Sequence, residues 1–177
     1  MENLFIAEIY SENERINREL QDVVRGLSAE EAAFRPDGEN WSIAEMVEHV
    51  AIVESGVGRV CSKLLKSAAV DPVAGSLKLS ENYITKRTEF MQVRIEAPEM
   101  VRPTGSRSIA DSLAMLEENS ARLEAIRELF ERSSGGTATF PHPFVGEMSA
   151  VEWLHMIGEH KARHTAQIKR ALSKIKA

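Results

Sequence analysis

Four stretches of the chain carry apolar residues at the spacing of an α-helix, and this pattern constrains the fold more than any other feature. Within residues 2–27, apolar side chains recur at steps of three, four and seven, with polar residues between them. Residues 42–67, residues 108–130 and residues 149 to near the C-terminus repeat this pattern. The sequence therefore predicts four amphipathic helices. A helix of about 25 residues is roughly 37 Å long, so the four could pack side by side along most of their length.

Start signals support these helix boundaries. A serine followed three residues later by an acidic residue can satisfy two free amide groups at the first turn of a helix, as a capping box. Three of the four stretches open in this way, and a fourth such pair predicts a short helical turn after the first stretch. The pairs are Ser28 and Glu31, Ser42 and Glu45, Ser108 and Asp111, and Ser149 and Glu152.

The connection between the second and third stretches, residues 69–106, is long and contains Pro72, Gly75, Pro98, Pro103 and Gly105. A structureless segment of that length is uncommon in a compact domain. We interpret it as a crossover that carries one short helix over residues 81–90, with residues 92–95 extended. Residues 137–146 contain two prolines, which favour an extended path before the last helix.

Four helical stretches without a convincing set of strands predict an all-α four-helix bundle. The 177 residues suffice to bury a core without disulfides, and we expect one domain over residues 1–177. A net charge of −5 argues against a nucleic-acid partner. One cysteine, no signal-peptide pattern and no long apolar run predict a cytoplasmic protein without a membrane partner.

Three of the five histidines can meet at one end of the bundle. His160 and His164 are four residues apart on the last helix, so their rings lie on one face. Both border the inward seam of that helix, and His49 borders the apolar stripe of the second helix. Three neutral imidazoles that leave a coordination position open are a common catalytic metal set. The alternative is that these histidines are buried core residues that donate to carbonyl groups.

The other candidate residues give weaker signals. His155 lies about 140° around the helix from His160 and should point elsewhere. His142, between two prolines, is expected to be a surface or packing residue, and Cys61 a buried packing residue. Glu45 could orient His49, but a role in the capping box is favoured.

Two familiar metal motifs are excluded. The zinc-protease motif requires a glutamate directly after the first histidine of the HxxxH pair, where this chain has Lys161. A di-iron bundle requires two Glu-x-x-His motifs, and only Glu152 to His155 fits that pattern.

Two segments resemble a known family. Residues 41–49, WSIAEMVEH, and residues 160–168, HKARHTAQI, are similar to the second-helix and last-helix motifs of the DinB/YfiT-like superfamily. The resemblance implies an up-down-down-up bundle with His49, His160 and His164 as ligands of a divalent metal, commonly zinc or nickel. Some members are transferases that use a low-molecular-weight thiol such as bacillithiol or mycothiol, and homodimers are common.

The sequence and the resemblance together lead to one functional hypothesis and two alternatives. The hypothesis is a metal-dependent enzyme that transfers a low-molecular-weight thiol to a small-molecule substrate. The first alternative is a hydrolase that uses metal-bound hydroxide. The second is a non-enzymatic, stress-related binding module. The pattern assigns no catalytic residue beyond the three metal ligands and no binding site for an organic cofactor.

Overall fold

The computed structural model describes residues 5–66, 79–92, 96–133 and 138–175. These residues form seven α-helices, one 3₁₀ helix and one short β-hairpin. The α-helices are α1 (Ile6–Val24), α2 (Ala29–Ala33), α3 (Ile43–Lys66), α4 (Glu81–Gln92), α5 (Ile109–Glu124), α6 (Arg127–Arg132) and α7 (Ala150–Ile175). The 3₁₀ helix is Glu99–Val101, and the hairpin strands are β1 (Phe140–His142) and β2 (Gly146–Met148).

The bundle consists of α1, α3, α5 and α7, so the prediction of an all-α four-helix bundle is confirmed. Helix α7 packs against both α1 and α3, and α3 packs in turn against α5. Two apolar clusters fill the space between the helices. One cluster surrounds Leu154 and Phe130, and the other surrounds Leu20 and Ile168.

Helices α1 and α7 run in the same direction. The Asn13 side-chain amide donates to the Leu154 carbonyl over 3.1 Å, and Lys169 Nζ contacts Glu19 Oε1 at 2.6 Å. Earlier residues of α1 therefore meet earlier residues of α7, and later residues meet later ones.

Helix α3 runs against α7. The Cys61 thiol, near the end of α3, lies 3.6 Å from the carbonyl oxygen of Ala150 at the start of α7. His49, near the start of α3, meets His160 in the middle of α7. The two helices are therefore antiparallel.

Helices α3 and α5 are parallel. The Asn119 amide donates to the Ala51 carbonyl over 3.0 Å, and further along both helices Gly58 faces Leu123. The chain order of directions is thus up-down-down-up. Because two consecutive parallel bundle helices need a connection that returns along the bundle, the long crossover between them follows from this arrangement.

The predicted capping boxes are present. In all four, the serine hydroxyl accepts from the amide three residues later over 3.0–3.4 Å, and the acidic side chain accepts from the serine amide in return. The start points of α2, α3, α5 and α7 therefore agree with the sequence prediction.

The third predicted helix is not continuous, and this part of the prediction is wrong. Helix α5 ends at Glu124, and α6 begins at Arg127. In a continuous helix the Leu123 carbonyl would accept from the Arg127 amide. It accepts instead from the Ile126 amide over 3.1 Å and from the Tyr10 hydroxyl over 2.7 Å. A contact from α1 thus occupies the carbonyl at the break.

The crossover contains the predicted short helix, since α4 covers residues 81–92. Gln92 closes α4 rather than beginning an extended segment, and residues 93–95 lie outside the described residues. Residues 140–142 are extended as predicted, but they pair with residues 146–148 in a hairpin that the sequence did not indicate. Among the described residues, none of the helices is sufficiently long and apolar to span a membrane.

Candidate metal centre

The histidine triad, His49, His160 and His164, comes together where α3 and α7 face each other. His49 lies in the second turn of α3, and the other two occupy consecutive turns of α7. One ring nitrogen from each residue lies within 4.8 Å of the others. The Nε2 atoms of His49 and His160 are 3.1 Å apart. The predicted juxtaposition is therefore present.

A backbone carbonyl fixes the ring of His49. Its Nδ1 lies 2.7 Å from the carbonyl oxygen of Val101, at the end of the 3₁₀ helix. A carbonyl only accepts, so Nδ1 carries the proton and donates it, and the lone pair of a neutral ring is on Nε2. The indole of Trp41 packs on the same ring, with centroids 4.6 Å apart. His49 therefore presents a fixed acceptor nitrogen to the triad.

His164 keeps one buried nitrogen without a protein partner. Its Nδ1 has no hydrogen bond, whereas the Gln167 side chain, one turn later, hydrogen-bonds the ring. Buried polar atoms are rarely left unpaired, and each such atom calls for an explanation. A ligand bound among the three rings would satisfy this atom.

Burial keeps the triad uncharged near neutral pH. Loss of hydration lowers the pKa of His49 below its usual value and that of His164 to about 3. Burial lowers the pKa of His160 well below its usual value, and the neighbouring His164 and His49 add to this effect. Since a metal ion binds the neutral imidazole, all three rings are in the form that can coordinate one.

The donor set fits a divalent transition metal. At zinc–nitrogen distances of about 2.0–2.1 Å, tetrahedral coordination places two ligand nitrogens about 3.3 Å apart. The 3.1 Å between the Nε2 atoms of His49 and His160 is close to that spacing. Three neutral imidazoles suit zinc, nickel and copper, and three ligands leave at least one position for a substrate.

The triad opens into a cavity of about 1020 Å³ between α3, α7, the 3₁₀ helix and the hairpin. Most of its wall is apolar. The aromatic and methionine side chains that line it are Trp41, Met46, Phe140, Phe144, Trp153 and Met156. Three arginines and two glutamates, Arg59, Arg102, Arg163, Glu39 and Glu96, also line it, and Arg102 is paired with Glu96 at 2.6 Å. Trp41 and Trp153 therefore contribute to this wall in addition to packing at the starts of their helices.

Two residues that the sequence did not assign to the site belong to its surroundings. Val101 supplies the carbonyl that holds His49. His142 lines the cavity rather than only the surface, and its ring lies 5.2 Å from that of Trp153. Its Nδ1 accepts from the amides of Phe144 and Val145 over 3.2 Å each. No spacing rule links these loop residues to the triad, because the crossover and the hairpin bring them there.

The remaining candidates lie outside the triad. His155 faces away from it, and its Nδ1 lies 3.0 Å from the Tyr83 hydroxyl. Cys61 is buried, which raises the pKa of its thiol to about 12. Glu45 accepts from the Ser42 amide in the capping box and contacts Arg35 rather than His49. These placements confirm the sequence predictions for all three residues.

Comparisons with known proteins agree with this architecture. TT2238, described as a four-helix bundle protein, matches with a TM-score of 0.59 and 22% sequence identity over 92% of this chain and 96% of its own. The uncharacterized protein YuaE of Bacillus subtilis (strain 168) is 26% identical over 159 residues, which cover 86% of this chain and 90% of that protein. The family model of the DinB superfamily matches residues 12–168. The match includes most of each of the four bundle helices and the whole histidine triad, and the chain therefore belongs to the DinB superfamily.

Proposed function

We propose that this chain binds one divalent transition metal through its histidine triad and acts as a metal-dependent transferase of a low-molecular-weight thiol. One observation supports the proposed metal site most directly. Ring nitrogens of three neutral histidines converge, with His49 buried and His160 and His164 half-buried, and the Val101 carbonyl holds His49 with its Nε2 toward the other two rings. Zinc and nickel are the metals that the resemblance implies, and both accept imidazole ligands.

A bound divalent ion would lower the pKa of a thiol or a water molecule and so supply a nucleophile near neutral pH. The chain itself provides the surroundings for that chemistry. The apolar wall of the cavity excludes water and can hold the carbon skeleton of an electrophile.

The burial of Cys61, the only cysteine in the sequence, supports a small-molecule thiol as the nucleophile. Cys61 is fully buried between α3 and the start of α7, away from the cavity. A thiolate, not a thiol, is the nucleophile, and burial raises the pKa of this group to about 12. A reaction at sulfur in this protein would therefore use a small-molecule thiol rather than a residue of the chain.

Metal content tests the site. Protein purified without an affinity tag or chelator should contain about one divalent ion per chain by elemental analysis. The triple variant His49→Ala, His160→Ala, His164→Ala should contain none. His155→Ala is the matched control, because it removes a half-buried histidine of the same helix that lies outside the triad. Equal metal content in wild type and the triple variant would refute the ligand assignment.

Thiol dependence tests the reaction. The metal-loaded protein should consume an aryl halide only in the presence of bacillithiol, mycothiol or another small thiol, and the triple variant should not. Turnover of ester or amide substrates without a thiol would instead indicate the hydrolase. Absence of any turnover by the metal-loaded protein would favour a binding module.

The family resemblance leads us to propose a homodimer, and the charge and composition of the chain lead us to propose that it has no nucleic-acid or membrane partner. A net charge of −5 makes attraction to nucleic-acid phosphates or anionic lipids unfavourable. Size-exclusion chromatography with light scattering should give twice the chain mass of 19.7 kDa. A mass of one chain at micromolar concentration would refute the dimer.

A further inference from the structure

Glu48, which directly precedes His49, is a carboxylate with no exposed surface. Charged side chains are almost never buried to this extent unless they are paired. Its hydrogen bonds come from the crossover rather than from the bundle helices. The Thr104 hydroxyl donates to Oε1 over 2.6 Å, the Gly105 amide donates to Oε2 over 3.0 Å, and Arg107 Nε lies 3.7 Å from Oε1.

The segment that Glu48 holds is the same one that holds His49. Val101, whose carbonyl accepts from His49 Nδ1, lies three residues before Thr104. The linking residues have little freedom, since the Arg102 amide closes the 3₁₀ helix on Glu99 and Pro103 has a fixed φ angle. Anchoring Thr104 and Gly105 therefore also sets the position of the Val101 carbonyl.

We propose that Glu48 is a positioning residue of the metal centre. It anchors residues 101–107 to α3, so that the Val101 carbonyl keeps His49 protonated on Nδ1 and leaves Nε2 free for the metal. This inference rests on the proposed metal site. Without the anchor, the carbonyl can move and His49 can carry its proton on Nε2, a form that cannot bind the ion through that atom.

If Glu48 only stabilised the fold, its loss would not change the metal site, and Glu152 provides the matched control for this possibility. Glu152 is also a buried carboxylate that anchors a loop, since Oε1 accepts from the Ser80 amide and hydroxyl over 2.9 and 2.6 Å. It lies two turns before His160 and belongs, among the described residues, neither to the histidine cluster nor to the lining of its cavity. Loss of either carboxylate should lower stability, whereas only loss of Glu48 should change the metal site.

The first measurement is the dissociation constant for Zn²⁺, from competition with a chromogenic chelator. Partners that orient metal ligands typically change metal affinity by about 10–100-fold when they are removed. We expect Glu48→Gln to weaken binding within that range and Glu152→Gln to leave it unchanged. Thr104→Val removes one donor from an exposed residue and should weaken binding by a smaller factor, whereas Thr104→Ser keeps the hydroxyl and the affinity.

The second measurement is the tautomer of His49 in the metal-free protein, from ¹⁵N chemical shifts of the ring. We expect the Nδ1–H form in wild type, Thr104→Ser and Glu152→Gln, and a shift toward the Nε2–H form in Glu48→Gln and Thr104→Val. This readout does not require metal and would not change if Glu48 only stabilised the fold. The Thr104 pair keeps the test decisive if Glu48→Gln fails to fold.

The outcomes separate this inference from the proposed function. Wild-type Zn²⁺ affinity and an unchanged His49 tautomer in Glu48→Gln and Thr104→Val would overturn the inference while leaving the metal site intact. A wild type that binds neither Zn²⁺ nor Ni²⁺ would refute the proposed function. The His49 tautomer would still decide whether Glu48 positions His49. Loss of the Nδ1–H form in Glu48→Gln and Thr104→Val supports that role, and persistence of that form in both variants overturns it.

Discussion

The ion pair between Lys161 and Glu54 offers a sharp test of the buried electrostatics. Lys161 stands between the two triad histidines of α7, but its side chain extends in another direction, to Glu54 Oε2 at 2.6 Å. Both side chains are 2% exposed, and Lys161 Nζ also donates to Asn17 Oδ1 over 3.1 Å. The pair therefore links α7 to α3 and α1 inside the bundle.

The expected magnitudes follow from this geometry. Two unit charges 2.6 Å apart attract by about 6 kcal/mol at an effective dielectric constant of about 20. Desolvation of the two ions costs several kcal/mol each, so the intact pair contributes little net stability. Removal of one partner leaves a buried unpaired charge, and we expect Lys161→Met or Glu54→Leu alone to cost about 3–5 kcal/mol. The double variant should regain most of that loss.

Urea unfolding of the metal-free proteins, monitored by circular dichroism, measures these changes in the free energy of unfolding. At about 2–4 °C per kcal/mol for a chain of this size, each single variant should also lower the midpoint temperature by about 6–20 °C. The exposed pair Arg122 and Glu118 is the control, and Arg122→Ala should cost no more than about 1 kcal/mol. Single variants of the buried pair that cost no more than this control would refute the reasoning, as would a double variant whose loss equals the sum of the singles.

Four further predictions concern packing, pH, metal and thiol reactivity. Gly158→Ala should not give the gain of about 1 kcal/mol that alanine brings in a helix interior, because its methyl would overlap the Asn13 amide oxygen and displace the side chain that donates to the Leu154 carbonyl; a gain of that size in the unfolding free energy would contradict this. Burial lowers the pKa of His155 to about 4 and that of His164 to about 3, so below pH of about 6.5 the unfolded chain binds protons that the folded chain does not. The unfolding free energy of chelator-treated protein should therefore fall from about pH 6.5 toward pH 4, by up to about 1.4 kcal/mol per pH unit per histidine, and a flat profile would exclude this linkage. Free Zn²⁺ at 100 times its dissociation constant should raise the unfolding free energy of wild type by about 2.7 kcal/mol and leave the triple variant unchanged. Cys61 should react with Ellman's reagent only after unfolding, so rapid reaction of the native protein would show that the thiol is accessible.

The features that the sequence predicts well are those that local periodicity determines. The capping serines set the starts of α3 and α7 to within one residue, because their bonds involve residues three positions apart. The four-residue spacing of His160 and His164 places both rings on one face without any knowledge of the fold. His49 required only the further assumption that the apolar faces of two helices meet.

The features that the sequence does not predict depend on contacts between distant segments. Val101 contributes a carbonyl, and every residue type provides one, so no sequence pattern marks it. The break after α5 depends on a hydroxyl from Tyr10, which lies 113 residues away from Leu123. His142 reaches the cavity because a hairpin folds back, and its flanking prolines indicate an extended path but not its direction.

The parallel pairing of α1 with α7 has a consequence for how the chain reaches its native state. The contacts that join these helices connect residues 141 to 150 positions apart. Such separations make closure slow, because the entropy of a long loop is lost before the contact is made. During synthesis the apolar stripe of α1 lacks the part of its cover that α7 provides until the last helix emerges. The histidine triad also forms only then, so binding of the proposed metal would be one of the last events of folding.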